Sequence, residues 1–346
     1  MSEYDLDLVA TPDNPIPAGA TLHEVKTRDR LRLRAASWSP LAGEAQGVVT
    51  LLQGRGEFIE KYFETIADLR ARGFHVVAFD WRGQGGSRPL KRHGAAGRRM
   101  RRVPVRDFAA YQRDLDAVME QVVAPLGGPN FALCHSMGGT VALLRAEAGQ
   151  RPRQDFTRIV AVSPMIALSR HTAPAFTGPL AGLFAAIGLG RLVVPHYRAA
   201  VRARRAAGDN AISHDPARLQ RLRAVIERAP WIVSGGPTFG WLAAAYRAMG
   251  RLASPGFALR VATPTLIIAA GDDKVVSTPA IERFGSRLKT GNALVLPHAR
   301  HEILIESDDY REVFWAAFDA FIPGKGLIGS EPPASVQAPS SASAAS

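Results

Sequence analysis

Short, almost continuous apolar runs alternate with amphipathic segments along most of the chain. The apolar runs are typical of strands that are buried on both faces of a parallel sheet; they are GVVTLLQG, FHVVAFD, FALCHS, RIVAVSP, PTLIIAAGDD and NALVLP. The segments between them place apolar residues at the helical period; they are KYFETIADLRARG, DFAAYQRDLDAVMEQVV, TPAIERFGSRL and DDYREVFWAAFDAF. This alternation predicts a mainly parallel, doubly wound α/β sheet with helices on both faces.

Three regions depart from this pattern. Near the N-terminus, TLHEVKTRD and LRLRAASWS predict an antiparallel hairpin, which brings the sheet to eight strands. Residues 166–256 contain helical patterns but no convincing strand, and they are too long for a βα connection. We therefore predict a core of residues 1–165 and 257–326 with a helical cap, residues 166–256, inserted after the sixth strand. Residues 327–346 are rich in Ser, Ala and Pro, which predicts a disordered tail.

The composition indicates the class of protein and the compartment in which we expect it. The 346 residues are 47% hydrophobic, as in a globular protein with a full core. The single cysteine, Cys134, excludes an internal disulfide framework and fits a reducing compartment. The N-terminal MSEYDLDLVATPDNP is acidic and interrupted by proline, unlike a signal or transit peptide, and charged residues interrupt every long apolar run. We expect a cytoplasmic protein, either soluble or peripheral at the inner face of the membrane.

The segment LCHSMGG gives the clearest indication of chemistry. Ser136 lies between a predicted strand and a predicted helix and is followed by two glycines. This is the setting of a nucleophile elbow, a crowded turn in which the positions two before and two after the serine must be small. Gly138 meets this requirement, and Cys134 is a small residue at the other position. A serine that only caps a helix is the alternative, but it explains neither the preceding strand nor the double glycine.

A serine nucleophile needs a base, and the base needs an acid that orients it. In a doubly wound sheet both must come from loops at the carboxyl ends of strands. Asp272 and Asp273 follow one apolar strand, and His298 and His301 follow the next. We favour Asp273, because the Lys-Val-Val that follows it resembles the context of the acid in α/β-hydrolases, and Asp272 suits a turn cap instead. We favour His301, because it precedes Glu302 and an apolar stretch, whereas His298 lies at the strand end, as a surface histidine would. The order serine, acid, histidine is that of α/β-hydrolases.

Acyl transfer also needs donors for an oxyanion. The backbone N–H of Met137, directly after the serine, is one predicted donor. The loop QGRGE supplies the other through Arg55, between Gly54 and Gly56, because it follows a strand and precedes a helix. His135 also neighbours the serine, but in an elbow it points away from it, so we predict a packing or hydrogen-bonding role.

Five motifs, in order and at sensible spacing, carry a family resemblance. They are LLQGRGEFIEKY, FDWRGQGGSRP, LCHSMGG, AGDDKVVSTPAIERF and ARHEILIE. Together they resemble the lysophospholipase and monoacylglycerol lipase branch of the α/β-hydrolase fold, across roughly residues 20–322. The resemblance implies the triad Ser136, Asp273 and His301 and the oxyanion amides of Arg55 and Met137.

Two residues depart from the family pattern. Gln53 stands where many relatives have histidine, and Cys134 stands where most have glycine; neither removes a catalytic atom. In the predicted cap, GPLAGLFAAIGLGRLVV and TFGWLAAAYRAMG are apolar enough to roof an acyl pocket. Phe239, Trp241 and Leu242 are the predicted pocket residues, although these segments also suit plain packing of the cap onto the core.

These features predict a serine ester hydrolase that cleaves a single-chain acyl lipid through an acyl-serine intermediate. Lysophospholipid is favoured over monoacylglycerol as the substrate, and transacylation to a lipid hydroxyl is compatible with the same chemistry. A serine aminopeptidase or a small-ester carboxylesterase of the same fold is the alternative. The chemistry requires no metal and no organic cofactor.

The charge balance bears on partners. The formal net charge is +12, from 43 basic and 31 acidic residues, and basic residues cluster at 88–106 and 196–208. Such clusters beside a lipid pocket predict peripheral contact with an anionic membrane surface. The alternative interpretation, which the sequence supports equally well, is that these basic clusters are simply exposed to solvent. Nucleic acid is not an expected partner, because neither cluster contains a reading motif or interleaved aromatic residues.

Overall fold

The computed structural model describes most of the chain before residue 324. The described ranges are 6–92, 98–100, 103–148, 155–174, 176–195 and 212–323, with backbone alone at 90–92 and 98–100. The predicted tail and the basic segment 196–208 lie outside them. The strands are β1 (Thr21–Lys26), β2 (Arg32–Trp38), β3 (Val48–Leu52), β4 (His75–Phe79), β5 (Leu90–Arg92), β6 (Arg98–Met100), β7 (Asn130–His135), β8 (Arg158–Val162), β9 (Thr265–Ala270) and β10 (Gly291–Leu296).

Eight of these strands form the central sheet, in the order β1-β2-β4-β3-β7-β8-β9-β10. Within it β2 runs antiparallel to both of its neighbours, and the other pairings are parallel. The predicted eight-stranded, mainly parallel sheet and its opening hairpin are therefore confirmed. The edge strand β10 is less buried than its apolar sequence suggested, because it has a neighbour on one side alone. Strands β5 and β6 pair as a separate antiparallel ribbon within the basic segment 88–106.

Helices cover both faces of the sheet. They are α1 (Phe63–Ala71), α2 (Ala109–Val118), α3 (Met137–Arg145), α4 (Thr177–Ala186), α5 (Pro216–Arg228), α6 (Phe239–Leu252), α7 (Phe257–Arg260), α8 (Thr278–Gly285) and α9 (Asp308–Phe321). Between β8 and β9 the described residues form α4 to α7, short 3₁₀ turns and isolated bridges. Over the described ranges, every helix falls short of the length and apolarity needed to cross a bilayer.

Alternation along the strands creates two apolar layers. Leu51 of β3 faces the layer that contains Ile66 of α1 and Phe318 of α9. Leu52, the next residue, faces the opposite layer, which contains Val141 of α3 and residues of α2, α6 and α8. Successive side chains of a strand point to opposite faces, so a parallel strand covered on both faces must be apolar throughout. The continuous apolar runs of the sequence have this physical cause.

Helix α3 approaches the sheet more closely than a side chain at its second residue would allow. A Cβ atom on Gly138 would lie 1.9 Å from the backbone oxygen of Leu52, and one on Gly139 would lie 2.7 Å from the Cβ of Pro164. Backbone atoms of a central strand cannot move aside, so position 138 requires glycine, and at position 139 a side chain would press on Pro164 just after β8. The double glycine of LCHSMGG therefore lets α3 begin directly against β3 and β8.

Substituting Gly138→Ala should destabilise the protein. The added methyl group would overlap the Leu52 carbonyl, and overpacking of this kind costs about 3 kcal/mol, the upper end of its usual range. Gly250→Ala is the matched control, since Gly250 lies in α6 and a methyl group added there would meet nothing within 4 Å. That control should stabilise the helix by roughly 0.5–1 kcal/mol. Urea unfolding of both variants measures the difference, and equal midpoints would contradict the close approach.

Candidate active site

Ser136 occupies a strained turn between β7 and α3. Its backbone has φ +50° and ψ −113°, in a region that side-chain-bearing residues rarely adopt. Two hydrogen bonds hold the turn: the Ser136 N–H donates to the Val162 carbonyl at 3.0 Å, and the Ser136 carbonyl accepts from the Met165 N–H at 3.0 Å. Cys134, two residues earlier, is buried in β7, and burial raises the pKa of its thiol. This geometry matches the strand, turn and helix of a nucleophile elbow.

His301 and Asp273 complete a hydrogen-bonded chain with Ser136. His301 Nε2 lies 3.1 Å from Ser136 Oγ, and His301 Nδ1 lies 2.7 Å from Asp273 Oδ2. The three residues come from loops after β7, β9 and β10, which end at the same edge of the sheet. The structure thus brings together side chains that lie up to 165 residues apart in the sequence.

The surroundings of Asp273 keep it ionised. Burial by itself would raise the pKa of the Asp273 carboxyl, but His301 and two backbone donors outweigh that effect and lower the pKa. The donors are the N–H groups of Val275 and Val276, which bind Asp273 Oδ1 at 2.7 and 2.9 Å. An ionised Asp273 accepts a hydrogen bond from the Nδ1–H of His301, so Nε2 is left as the acceptor that faces the serine.

The two alternative residues lie together outside this chain. Asp272 and His298 have exposed side chains, and His298 Nδ1 is 3.7 Å from Asp272 Oδ2. His298 has a backbone φ of +62°, as expected for the end of a turn, and its side chain is 81% exposed. Neither residue is hydrogen-bonded to Ser136 or to His301 in the described part of the chain. The geometry therefore separates the favoured pair from its competitors.

The QGRGE loop is held on both sides of Arg55. The N–H of Gly54 donates to the Glu57 carboxylate at 2.5 Å, and the N–H of Gly56 donates to the Gln84 side chain at 2.5 Å. Met137 begins α3, so its N–H belongs to the first turn, where no intrahelical acceptor exists. The two predicted oxyanion donors thus follow β3 and β7, which are adjacent strands.

The Arg55 side chain extends to the helical segment between β8 and β9. Its Nη2 donates to the Gly235 carbonyl at 2.9 Å, and its guanidinium lies 4.7 Å from the centre of the Trp241 ring. Trp241 lines a cavity of about 70 Å³ with Tyr111, to which its indole N–H donates at 2.9 Å. Phe239 stacks on Phe184 at 4.5 Å and, like Leu242, is buried in the apolar layer. Of the three predicted pocket residues, Trp241 faces this cavity.

The sequence did not single out a buried cluster of charged residues beneath the site. Glu57, His135 and Glu302 bring ligand-type atoms within 4.8 Å of one another. The Lys61 ammonium contacts both carboxylates, at 2.8 Å from Glu57 Oε1, so the chain itself supplies a cation there. These residues lie inside the motifs that carried the family resemblance. Charged residues within otherwise apolar, buried segments were the sequence feature that could have revealed the cluster. Gln53, which stands where many relatives have histidine, is four residues before Glu57 and is fully buried. Its side-chain amide has no hydrogen-bond partner among the described residues.

Comparisons with known proteins agree with the fold and the motifs. Residues 43–308 match the Hydrolase_4 family, described as serine aminopeptidase, S33. Lysophospholipase L2 of Escherichia coli (strain K12) is 32% identical over 287 residues, which cover 77% of each chain. Homo sapiens monoglyceride lipase is 31% identical over 140 residues, which cover 40% of this chain and 41% of that one.

Solved structures show the same fold. A soluble variant of Saccharomyces cerevisiae monoglyceride lipase, in complex with a substrate analogue, superposes with a TM-score of 0.69 at 22% identity. The superposition covers 88% of this chain and 96% of that one. These matches confirm the resemblance drawn from the five motifs. The chain therefore belongs to the Hydrolase_4 family, and it is an ester hydrolase with the α/β-hydrolase fold.

Proposed function

We propose that the protein hydrolyses single-chain acyl lipids, lysophospholipids first and monoacylglycerols next, through an acyl-serine intermediate. The hydrogen-bonded chain from Ser136 through His301 to Asp273 is the observation that carries this proposal. The similarity to lysophospholipase L2 over 77% of each chain supports the choice of substrate. Residues 166–256 would serve as the cap over the site, since they join β8 to β9 beside the elbow.

In the first half of the reaction, His301 Nε2 removes the proton from Ser136 Oγ as the oxygen attacks the ester carbonyl. The tetrahedral oxyanion accepts hydrogen bonds from the backbone N–H groups of Met137 and Arg55, each donor being worth about 10²–10³ in rate. Asp273 stabilises the imidazolium that forms. His301 then gives the proton to the departing alcohol oxygen, and an acyl-serine remains.

In the second half, water takes the place of the alcohol. His301 removes a proton from the water, the hydroxyl attacks the acyl-serine, and the fatty acid leaves as Ser136 regains its proton. A lipid hydroxyl that entered instead of water would yield a new ester, which is transacylation. The family description names serine aminopeptidases, so an amino-terminal peptide substrate is the alternative to an acyl lipid.

The outer face of α4 suggests how the protein would reach its substrate. Phe176, Leu180, Leu183 and Ile187 follow one another at helical spacing, and between 41% and 65% of each is exposed. The opposite side of the helix packs inward, where Ala181 is buried and Phe184 stacks on α6. That this segment roofs an acyl pocket stays a prediction. Its outward face presents four apolar side chains to the surroundings, on the side of the helix that faces away from α6.

We propose that this α4 stripe inserts into an anionic bilayer surface. Residues 156–208, which include α4, contain no aspartate or glutamate but several arginines. These are Arg158, Arg170, Arg191, Arg198, Arg202, Arg204 and Arg205. Each arginine near an anionic surface contributes about 1 kcal/mol, and apolar side chains at helical spacing add insertion into the acyl boundary. An apolar stripe within an acid-free, basic stretch fits such a surface better than it fits water.

Substitutions in the triad test the mechanism. Ser136→Ala, His301→Ala and Asp273→Asn should each lower kcat by about 10⁴-fold or more, because the nucleophile, its base or the required tautomer is lost. Asp272→Asn and His298→Ala are matched controls that should leave hydrolysis of a soluble short-chain ester unchanged. Retained activity in His301→Ala together with a loss in His298→Ala would overturn the assignment.

A substrate panel tests the choice of lipid. We expect fatty acid release from lysophosphatidylglycerol and lysophosphatidylcholine to exceed release from monoacylglycerol, with no cleavage of an amino-terminal proline peptide. Product analysis by mass spectrometry also separates free fatty acid from a transacylated lipid. The variant Ser136→Ala is the control for lipid breakdown that does not depend on the proposed nucleophile. Peptide cleavage with no turnover of any acyl lipid would reject the lipid assignment in favour of the aminopeptidase.

Vesicle sedimentation tests the membrane contact. Wild-type protein should bind vesicles of phosphatidylglycerol and phosphatidylcholine, and the double variant Leu183→Ser, Ile187→Ser should bind about tenfold or more weakly, since each lost apolar side chain is worth at least about 1.5 kcal/mol when buried. The control pair is Leu41→Ser, Val313→Ser, whose side chains are comparably exposed elsewhere. Both pairs should hydrolyse a soluble ester normally. Equal weakening by the two pairs would count against the α4 stripe.

A further inference from the structure

The buried ion cluster, defined as Glu57, Lys61, Tyr62, His135 and Glu302, joins three loops of the proposed site, those after β3, β7 and β10. Glu57 belongs to the loop after β3, which also carries Arg55. His135 directly precedes Ser136 at the end of β7, and Glu302 directly follows His301. Three of the four loops that would contribute to the reaction therefore have members in the cluster, and the fourth is the loop after β9, which carries Asp273. The residues are all buried or nearly so.

Donors surround the Glu57 carboxylate completely. Its Oε1 faces Lys61 Nζ at 2.8 Å and His135 Nδ1 at 2.9 Å. Its Oε2 accepts from the Gly54 N–H at 2.5 Å and from the Tyr62 hydroxyl. An ammonium and a backbone N–H can do nothing but donate, so the carboxylate is ionised. Burial would raise the pKa of Glu57, but Lys61 and His135 together hold it well below its usual range.

The two nitrogens of the His135 ring both face acceptors. Nδ1 faces the ionised Glu57 carboxylate, and Nε2 lies 3.2 Å from the backbone oxygen of His301 and 3.5 Å from Glu302 Oε2. A neutral imidazole has one donor and one acceptor nitrogen, so one of these contacts would set two lone pairs against each other. Both contacts are satisfied only when the ring carries a proton on each nitrogen.

We propose that His135, held as an imidazolium, is a positioning residue that fixes the base loop relative to the nucleophile. This inference rests on the proposed function of Ser136 and His301. Through Nδ1 the ring is tied to the Glu57 loop, and through Nε2 it holds the carbonyl of His301 itself. The two imidazole rings lie 4.8 Å apart. Any shift of the His301 backbone would move its Nε2 away from Ser136 Oγ, and a misplacement of about 1 Å costs about 10²-fold in rate.

The charges around His135 set the direction of its pH dependence. Burial lowers its pKa and Lys61 does the same, but Glu302 and Glu57 outweigh both and raise the pKa. Tyr62 and the His301 carbonyl are the remaining polar groups of the cluster that face this region. A raised pKa extends the protonated form to higher pH, and the proton is lost as the pH rises through the folded-state value. Positioning of His301 should therefore fail on the alkaline side.

Ring-nitrogen NMR tests the protonation state without reference to activity. In protein labelled with ¹⁵N histidine, His135 should show two protonated ring nitrogens near neutral pH, and it is identified by the signal lost in His135→Gln. A neutral tautomer for His135 under these conditions would overturn the proposal. His298→Gln is the control, because His298 is 81% exposed and lies on the same loop as His301.

Kinetics test the positioning role. His135→Gln should lower kcat for a soluble ester by about 10²-fold with KM unchanged, because the bound substrate meets a displaced base. The kcat of the wild type should fall at alkaline pH, as His135 loses its proton. This fall should be absent in His135→Gln. In Glu57→Gln it should occur at lower pH, because the variant lacks a carboxylate that stabilises the protonated His135 ring. A falling limb at the same pH in all three proteins would refute the role, whatever their stability.

The rate of Ser136 labelling by a fluorophosphonate separates this inference from the lipid assignment. The reagent needs an activated serine but no lipid, so labelling should slow in His135→Gln to the same degree as ester hydrolysis, and should not slow in His298→Gln. Normal labelling of His135→Gln would reject the positioning role. If labelling depends on His135 while no acyl lipid is cleaved, the positioning role stands and the lipid substrate is rejected.

Discussion

The left-handed backbone of Ser136 is the constraint on which the site depends. With φ at +50°, the chain reverses sharply enough for the serine to leave β7 and for α3 to begin one residue later. That reversal brings α3 against β3, where only glycine at position 138 avoids the Leu52 carbonyl. Such strained conformations persist when the surroundings over-determine them. Here a central parallel strand on each side and a helix packed onto the sheet supply that support.

A second constraint follows from the burial of charged side chains next to Ser136. An isolated charge in a protein interior costs free energy. The cluster of Glu57, Lys61, His135 and Glu302 avoids this cost, because each charged group contacts a group of opposite charge. In a poorly hydrated setting these contacts are stronger and more directional than in water. The cluster therefore adds buried side-chain contacts between the three loops that carry Glu57, His135 and Glu302.

Two parts of the molecule differ in chemical character. At the carboxyl edge of the sheet, the polar side chains of His301 and Asp273 converge on Ser136. On the outer side of α4, apolar side chains are exposed within a stretch that has no acidic residue. The Arg55 side chain joins its loop to the segment between β8 and β9, since its guanidinium donates to the Gly235 carbonyl.

The sequence by itself determined the sheet, the order of its elements and the identity of Ser136 as the elbow residue. Apolar periodicity and the crowded glycines are local constraints, and a linear pattern records them. It also proposed Asp273 and His301, but Asp272 and His298 fitted the same spacing. The tertiary structure separated the pairs, because distances between strand ends depend on strand order and loop path. The contacts of His135 with Glu57 and His301 likewise join elements that are remote in sequence. Which face of α4 points outward depends on its packing against α6. A local sequence pattern contains neither kind of information.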